Sequence, residues 1–229
     1  MIRTLLLDLD GTLVHSVPDL TAALNRLMRA RGLAGFTQPE TARMVGDGVA
    51  KLVERAFAAR GALPDSGAVA EFSADYAAHA AVETRPYPGV AEGLRSLTQE
   101  GWRLAVCTNK LEAAARSLLG SLGLAGYFAA IGGGDSFPVR KPDPAHLLAT
   151  LRAAGGDPAY AVMGGDNAND VIAARGAGVP CIFAAWGYGM PAMAEGAAAV
   201  ARDFTELVAL ARELVGRSSL LRPTGGRRG

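Results

Sequence analysis

Thr4-Leu5-Leu6-Leu7-Asp8-Leu9-Asp10-Gly11-Thr12 is the stretch whose reading decides the fold. Its apolar run is too short for a helix. The lack of polar alternation suits a strand covered on both faces, as in a parallel sheet. Alternation past the strand end turns Asp8 and Asp10 the same way and sends Leu9 back toward the core. Gly11 then lets the chain leave at a sharp angle. Two acids converging at the carboxyl end of a buried strand are costly unless something positive lies between them. A divalent cation with oxygen ligands is one such group, and open α/β sheets bind ligands at this edge. The plainer alternative is a surface turn carrying two solvated acids. The buried approach favours the first reading.

A chain of 229 residues can bury one large core or two small ones. Its 50% hydrophobic and 20% charged residues are ordinary for a soluble globular enzyme. A formal net charge of +1 supplies no global field for nucleic acid or a membrane surface. Cys107 and Cys181 fall inside apolar runs that read as strands, which fits a reducing cytoplasm better than a disulfide scaffold. Asp8 and Asp10 interrupt the first apolar segment too early for a signal peptide. Gly176–Ala194 is uncharged, but Gly and Pro punctuate it. It reads as strand plus loop rather than a membrane span.

After Thr12 the periodicity becomes helical. Ser16-Val17-Pro18-Asp19 opens a helix followed by Leu20, Leu24, Leu27 and Met28, and Thr37-Gln38-Pro39-Glu40 has the capping-box pattern. Two more amphipathic faces follow, one on Val49, Leu52, Val53, Ala56 and Phe57, the other on Val69, Phe72, Tyr76 and Ala80. From Pro86-Tyr87-Pro88-Gly89 onward strands and helices alternate. Strands are expected at 104–107, 129–131, 160–163 and 181–184, with a last helix from Asp203 to about Val215. The expected architecture is α/β, a Rossmann-like doubly wound parallel sheet with a small all-helical domain inserted after the first strand. Residues 1–15 and 85–216 make the core, 16–84 the insertion, and 217–229 a tail without burial capacity that reads as disordered.

The later strands end in polar residues that complete the first pair. Val106-Cys107 runs into Thr108-Asn109-Lys110, Arg140-Lys141-Pro142 precedes a helix start, and Met163-Gly164-Gly165 ends in Asp166-Asn167-Ala168-Asn169-Asp170. The topology puts all four sites on one sheet edge. Several acids for a cation, with a hydroxyl and an ammonium for an anion, suit a phosphate held against Mg²⁺.

In this order the motifs resemble those of haloacid-dehalogenase-superfamily phosphatases, and within them phosphoglycolate phosphatases. The wider resemblance spans about residues 3–215. The narrower one rests on Ser16-Val-Pro-Asp-Leu, Val45-Gly-Asp-Gly with Leu52-Val-Glu-Arg, Tyr87-Pro-Gly-Val, Thr108-Asn-Lys, Gly133-Gly-Asp, Arg140-Lys-Pro-Asp-Pro and Gly187-Tyr-Gly. The resemblance implies Asp8 as nucleophile, forming an aspartyl-phosphate, and Asp10 as general acid and then base. It implies Mg²⁺ held by Asp8, the backbone carbonyl of Asp10, and Asp166, with Asp170 acting through water or orienting its neighbours. Thr108 and Lys141 would grip phosphoryl oxygens beside Asn109, with backbone N–H groups after Asp8 as further donors. The insertion would be a cap that reads the leaving group through Arg43, Gly46 and Lys51. The implied substrate is a small phosphorylated metabolite, in a cytoplasmic monomer or small homo-oligomer.

Some residues depart from the family pattern. His15 stands where Asp is usual, Asn167 replaces Ser or Thr, and Asp47 puts an acid where Asn is common. Pyrophosphatase, sugar-phosphate phosphatase, hexose-phosphate mutase and phosphonate hydrolase are rivals on the same fold. A phospho-acceptor signalling module is the rival of a different class. Its acceptor lies mid-domain and it lacks a helical insertion, so it fits less well, and a catalytically silent binding protein is disfavoured because every reacting group is present.

Overall fold

A computed structural model describes residues 2–220. The chain begins with β1 (Thr4–Leu7), then β2 (Val14–His15) and four helices: α1 (Val17–Ala30), α2 (Gln38–Ala42), α3 (Val49–Ala58) and α4 (Ala68–His79). β3 (Arg85–Pro86) leads into α5 (Val90–Gln99), β4 (Arg103–Cys107), α6 (Glu112–Ser121), β5 (Phe128–Gly132) and α7 (Pro144–Ala153). The rest is β6 (Ala161–Gly165), α8 (Ala168–Gly176), β7 (Cys181–Ala184), β8 (Ala199–Ala201) and α9 (Phe204–Leu220).

The main sheet is six-stranded, in the order β5-β4-β1-β6-β7-β8, and every pairing in it is parallel. β1 lies inside it, paired with β4 on one side and β6 on the other. The three leucines are fully buried for different reasons. Leu5 and Leu7 join the layer built on α5, α6 and α9, through Leu94, Leu118 and Phe204. Leu6 points to the opposite layer, with Leu147 of α7 and Val171 of α8. An unbroken apolar run is what a strand with helices on both faces requires. The chain leaves β1 toward β4 and β5, then crosses back to β6. Ligand crevices in doubly wound sheets form where the strand order reverses in this way.

The four inserted helices bury their own core, centred on Leu24, Met28, Leu52, Phe57, Phe72 and Tyr76. Two features fix where this insertion leaves and rejoins the sheet. β2 and β3 pair antiparallel, Val14 opposite Pro86 and His15 opposite Arg85. Asp19, buried in the first turn of α1, accepts hydrogen bonds from the amides of Glu83 and Thr84 and from the Thr84 hydroxyl, at 2.7–3.0 Å. Asp19→Ala removes a charged acceptor and leaves those amides unpaired, so it should cost about 2–4 kcal/mol. Urea unfolding with an unchanged m-value checks this; a loss below about 0.5 kcal/mol would contradict it.

The sequence does not predict the β2–β3 pair or β8, because segments of two or three residues are too short to show a period. α9 continues to Leu220, past the expected end near Val215. The tail residues Leu221–Gly229 lie outside the described residues. Cys107 and Cys181 are buried free thiols. Among the described residues, no helix is long and apolar enough to cross a membrane.

Candidate active site

The sheet holds Asp8 by its backbone: its N–H donates to the Gly164 carbonyl at 2.9 Å, one residue beyond the end of β1. Its Oδ1 accepts the Leu9 N–H at 2.7 Å and lies 3.1 Å from Lys141 Nζ. The Leu9 amide is therefore engaged with Asp8 itself and is no free donor for a ligand. Lys141 Nζ also donates to Asp170 Oδ1 at 2.6 Å. Asp170 serves two neighbours, because its Oδ2 accepts the Asn167 N–H at 3.0 Å and completes the capping box of α8. Asn167 caps the same helix by accepting from Asn169 N–H. Asn is as good an N-cap as Ser or Thr, so its departure from the family pattern leaves this turn intact.

Asp166 is held by the Thr12 hydroxyl at 2.8 Å and the Tyr188 amide at 2.8 Å. Gly11, at φ 91°, and Gly187 pass so close to this carboxylate that a Cβ on either would collide with it. Asp8, Asp166 and Asp170 are buried, and each offers an oxygen such that all three lie within 4.8 Å of one another.

Burial, then the charges of Asp8 and Asp170, pushes Asp166 up to about 8. Burial also raises Asp170, against the pull of Lys141. Burial opposes the charge on Lys141, but Asp170 and Asp8 outweigh it and hold the ammonium well above the usual lysine range. Three carboxylates around one ammonium leave a deficit of two positive charges. An all-oxygen donor set with that deficit fits a hard divalent cation.

This crowding makes a pH prediction for the chelated protein. A carboxyl raised from 3.8 to about 8 adds stability that is fully present below the lower value and lost as pH rises through the upper one. The Tm in chelator should therefore fall between about pH 6 and pH 8, and excess Mg²⁺ should flatten that slope. Thermal melts across the range check it; a chelated Tm that rises with pH would contradict it.

Asp10 faces the same end of the sheet but stands apart from the three acids. Its carboxylate accepts from Lys110 Nζ at 3.0 and 3.1 Å. Lys110 Nζ also donates to the Tyr76 hydroxyl at 3.0 Å and lies 4.4 Å from the centre of that ring. Burial alone would lower Lys110, but Asp10, followed by Tyr76, raises it on balance. In the sequence Lys110 is only the end of the Thr108-Asn109-Lys110 string, because nothing there links it to a residue 100 positions away. Thr108 is buried at the end of β4 and accepts from the Lys110 N–H at 3.2 Å. Asn109 Nδ2 donates to the carbonyls of Lys141 and Gly46, so it clamps the inserted helices to the sheet.

A cavity of about 310 Å³ opens between the sheet edge and the insertion, with Asp8, Asp10, Thr108 and Lys110 at its polar end and Leu52 and Phe72 among its apolar walls. A smaller cavity, about 60 Å³, is lined by Asp8, Asp166, Arg43 and Tyr188. Gly46 borders both. Lys51 borders neither; it lies on the exposed face of α3, paired with Glu54 at 2.7 Å. Asp47 also borders neither, being held by Asn169 at 2.7 Å and by Arg55.

Tyr188 enters the sequence only as the middle of the Gly187-Tyr-Gly string, which gives it no role. Its amide holds Asp166, and its hydroxyl accepts the N–H groups of Ser16 and Val17 where the chain enters α1. His15 packs between the rings of Tyr87 and Tyr188, each 5.9 Å away. His146 is buried, with Nε2 2.9 Å from the Gly133 carbonyl, and His79 lies on the exposed end of α4.

The chain is similar to known proteins over most of its length. A phosphoglycolate phosphatase of Agrobacterium fabrum is 47% identical over 185 residues, covering 79% of each chain. One of Rhodospirillum rubrum is 43% identical over 216 residues, covering 90% of each. The crystal structure of a predicted phosphoglycolate phosphatase from Haemophilus somnus 129pt superposes with a TM-score of 0.85 at 28% identity, covering 91% of this chain and 97% of that one. A family model for haloacid dehalogenase-like hydrolases matches residues 2–178. The chain belongs to the haloacid dehalogenase-like hydrolases and is an enzyme of that family.

Proposed function

We propose that this enzyme is a Mg²⁺-dependent phosphate-monoester hydrolase and that its substrate is 2-phosphoglycolate. The observation that carries the reading is the set of Asp8, Asp166 and Asp170 around Lys141, beside Thr108 and beneath the cavity closed by the inserted helices. The names of the similar proteins supply the substrate.

Asp8, the Asp10 carbonyl and Asp166 would hold Mg²⁺, with Asp170 acting through water or orienting its neighbours; the bound ion would supply charge neutralisation at the phosphoryl oxygens. The Thr108 hydroxyl and Lys141 grip the phosphoryl group, and Lys141 offsets the repulsion between anionic nucleophile and anionic ester. The Asp8 carboxylate attacks phosphorus, the bond from phosphorus to the ester oxygen breaks, and Asp10 gives its proton to the departing oxygen. Glycolate leaves. Asp10 then takes a proton from water, whose oxygen attacks the aspartyl-phosphate and releases inorganic phosphate with Asp8 regenerated. The inserted helices act as a cap that excludes bulk water, and Arg43 with the Gly46 turn borders the entry. Lys51, turned outward, has no part in this arrangement.

The test is a substrate panel with Mg²⁺ present or chelated: 2-phosphoglycolate beside pyrophosphate, sugar phosphates and phosphonoacetaldehyde. Turnover of 2-phosphoglycolate well above the others, lost on chelation, is the expected result. Preference for another ester would keep the chemistry and remove the substrate. No turnover by folded protein would remove both.

A further inference from the structure

The chemistry just described uses Asp8, Asp10, Thr108 and Lys141, yet the best-buried cation facing the leaving-group side is none of these. Lys110 is the one cation bordering the larger cavity among the described residues. The other cations available to read a leaving group are badly placed. Arg43 is exposed on the smaller cavity and Lys51 is paired with Glu54 outside both. The ammonium lies 3.0 Å from Asp10, the acid that serves the ester oxygen. In 2-phosphoglycolate the carboxylate carbon is two bonds from that same oxygen, so it must lie close to Lys110 once Asp10 is in reach of the ester. The third partner of the ammonium is Tyr76, carried on α4 of the cap, and this phenol accepts from Lys110 without an acceptor for its own hydrogen among the described residues. A carboxylate placed there meets a buried positive charge and an O–H donor, against walls that are otherwise mainly apolar.

We propose that Lys110, with Tyr76 as its partner on the cap, is the specificity-determining pair that selects a leaving group bearing a carboxylate beside the ester oxygen. This rests on the phosphatase reading above and adds the recognition element to it. Tyr76 also makes recognition depend on cap position, since the phenol reaches the substrate only with α4 packed over the sheet edge.

The experiment compares 2-phosphoglycolate with ethyl phosphate, which has a methyl group where the carboxylate stands, in wild type, Lys110→Met and Tyr76→Phe. The ratio of the two kcat/KM values within each protein cancels any shared damage to Asp10 or to folding yield. Lys110→Met should lower that ratio by about 30-fold or more, the scale of a buried charge-assisted hydrogen bond, and Tyr76→Phe by about 5-fold. An unchanged ratio, with both substrates falling together, would show that Lys110 only holds Asp10 and would overturn the proposal. A second measurement needs no variant: glycolate should inhibit wild type at least about 10-fold more tightly than neutral glycolamide, and equal inhibition would overturn the proposal. Absence of wild-type turnover of 2-phosphoglycolate beside good turnover of other esters would overturn the substrate reading and this proposal together. An unchanged ratio in an enzyme active on 2-phosphoglycolate overturns this proposal alone.

Discussion

Asp8→Asn is expected to lower phosphate release by about 10⁴-fold or more while leaving the fold intact. The amide has nearly the shape of the carboxylate but no anionic oxygen to attack phosphorus. The backbone bond that seats residue 8, from its N–H to the Gly164 carbonyl, does not involve the side chain. Asn can still present its oxygen to the Leu9 amide and to Lys141, so the local hydrogen bonds survive. It also removes one of the three crowded charges, which relieves repulsion with Asp166 and Asp170 when no cation is bound. The variant should therefore melt at or above the wild-type temperature in chelator. Steady-state rates and melts on one preparation check both halves. A rate loss below about 10-fold would place the nucleophile elsewhere.

Lys141→Met should be the second-largest effect, and unlike the first it should damage stability as well as rate. Lys141 is buried between Asp170, at 2.6 Å, and Asp8, at 3.1 Å. Its loss leaves three carboxylates with no positive partner, a situation that typically costs about 3–5 kcal/mol. Mg²⁺ in excess should return part of that stability by binding the native state, more than it adds to wild type. The rate should not recover with it, because the phosphoryl group still lacks its lysine. A residual rate of about 10⁻² to 10⁻³ of wild type is expected at saturating Mg²⁺. Denaturant titrations with and without Mg²⁺, beside kcat, separate the two effects. Full recovery of kcat by Mg²⁺ would reduce Lys141 to a structural counter-charge.

The sequence stretch around β1 made much of this legible, for physical reasons. An unbroken Leu5-Leu6-Leu7 run admits few solutions other than a strand between two helical layers, and the structure divides those leucines between the two layers. The acids of β1 and β6 share an edge because both strands are parallel neighbours, paired Leu7 to Gly164. Periodicity could also place α1, α3 and α4, because each has an apolar face long enough to repeat, whereas the five-residue α2 is marked only by its capping box. It could not reveal contacts made by single residues across the chain. Lys110 meets Asp10 and Tyr76, and Tyr188 joins Asp166 to the start of α1, through geometry that only the folded chain defines. The same holds for Lys51. A lysine beside a promising turn reads as a ligand contact until helical phase turns it toward Glu54 and solvent.

The central claim is that phosphate passes through Asp8, and acid quenching of enzyme mixed with ³²P-labelled 2-phosphoglycolate and Mg²⁺ tests it most directly. The expected result is label on the peptide containing Asp8, released by hydroxylamine, appearing before phosphate release and absent in Asp8→Asn. Phosphate release at the full wild-type rate with no label on that peptide at any quench time, or label on a different residue, would contradict the account.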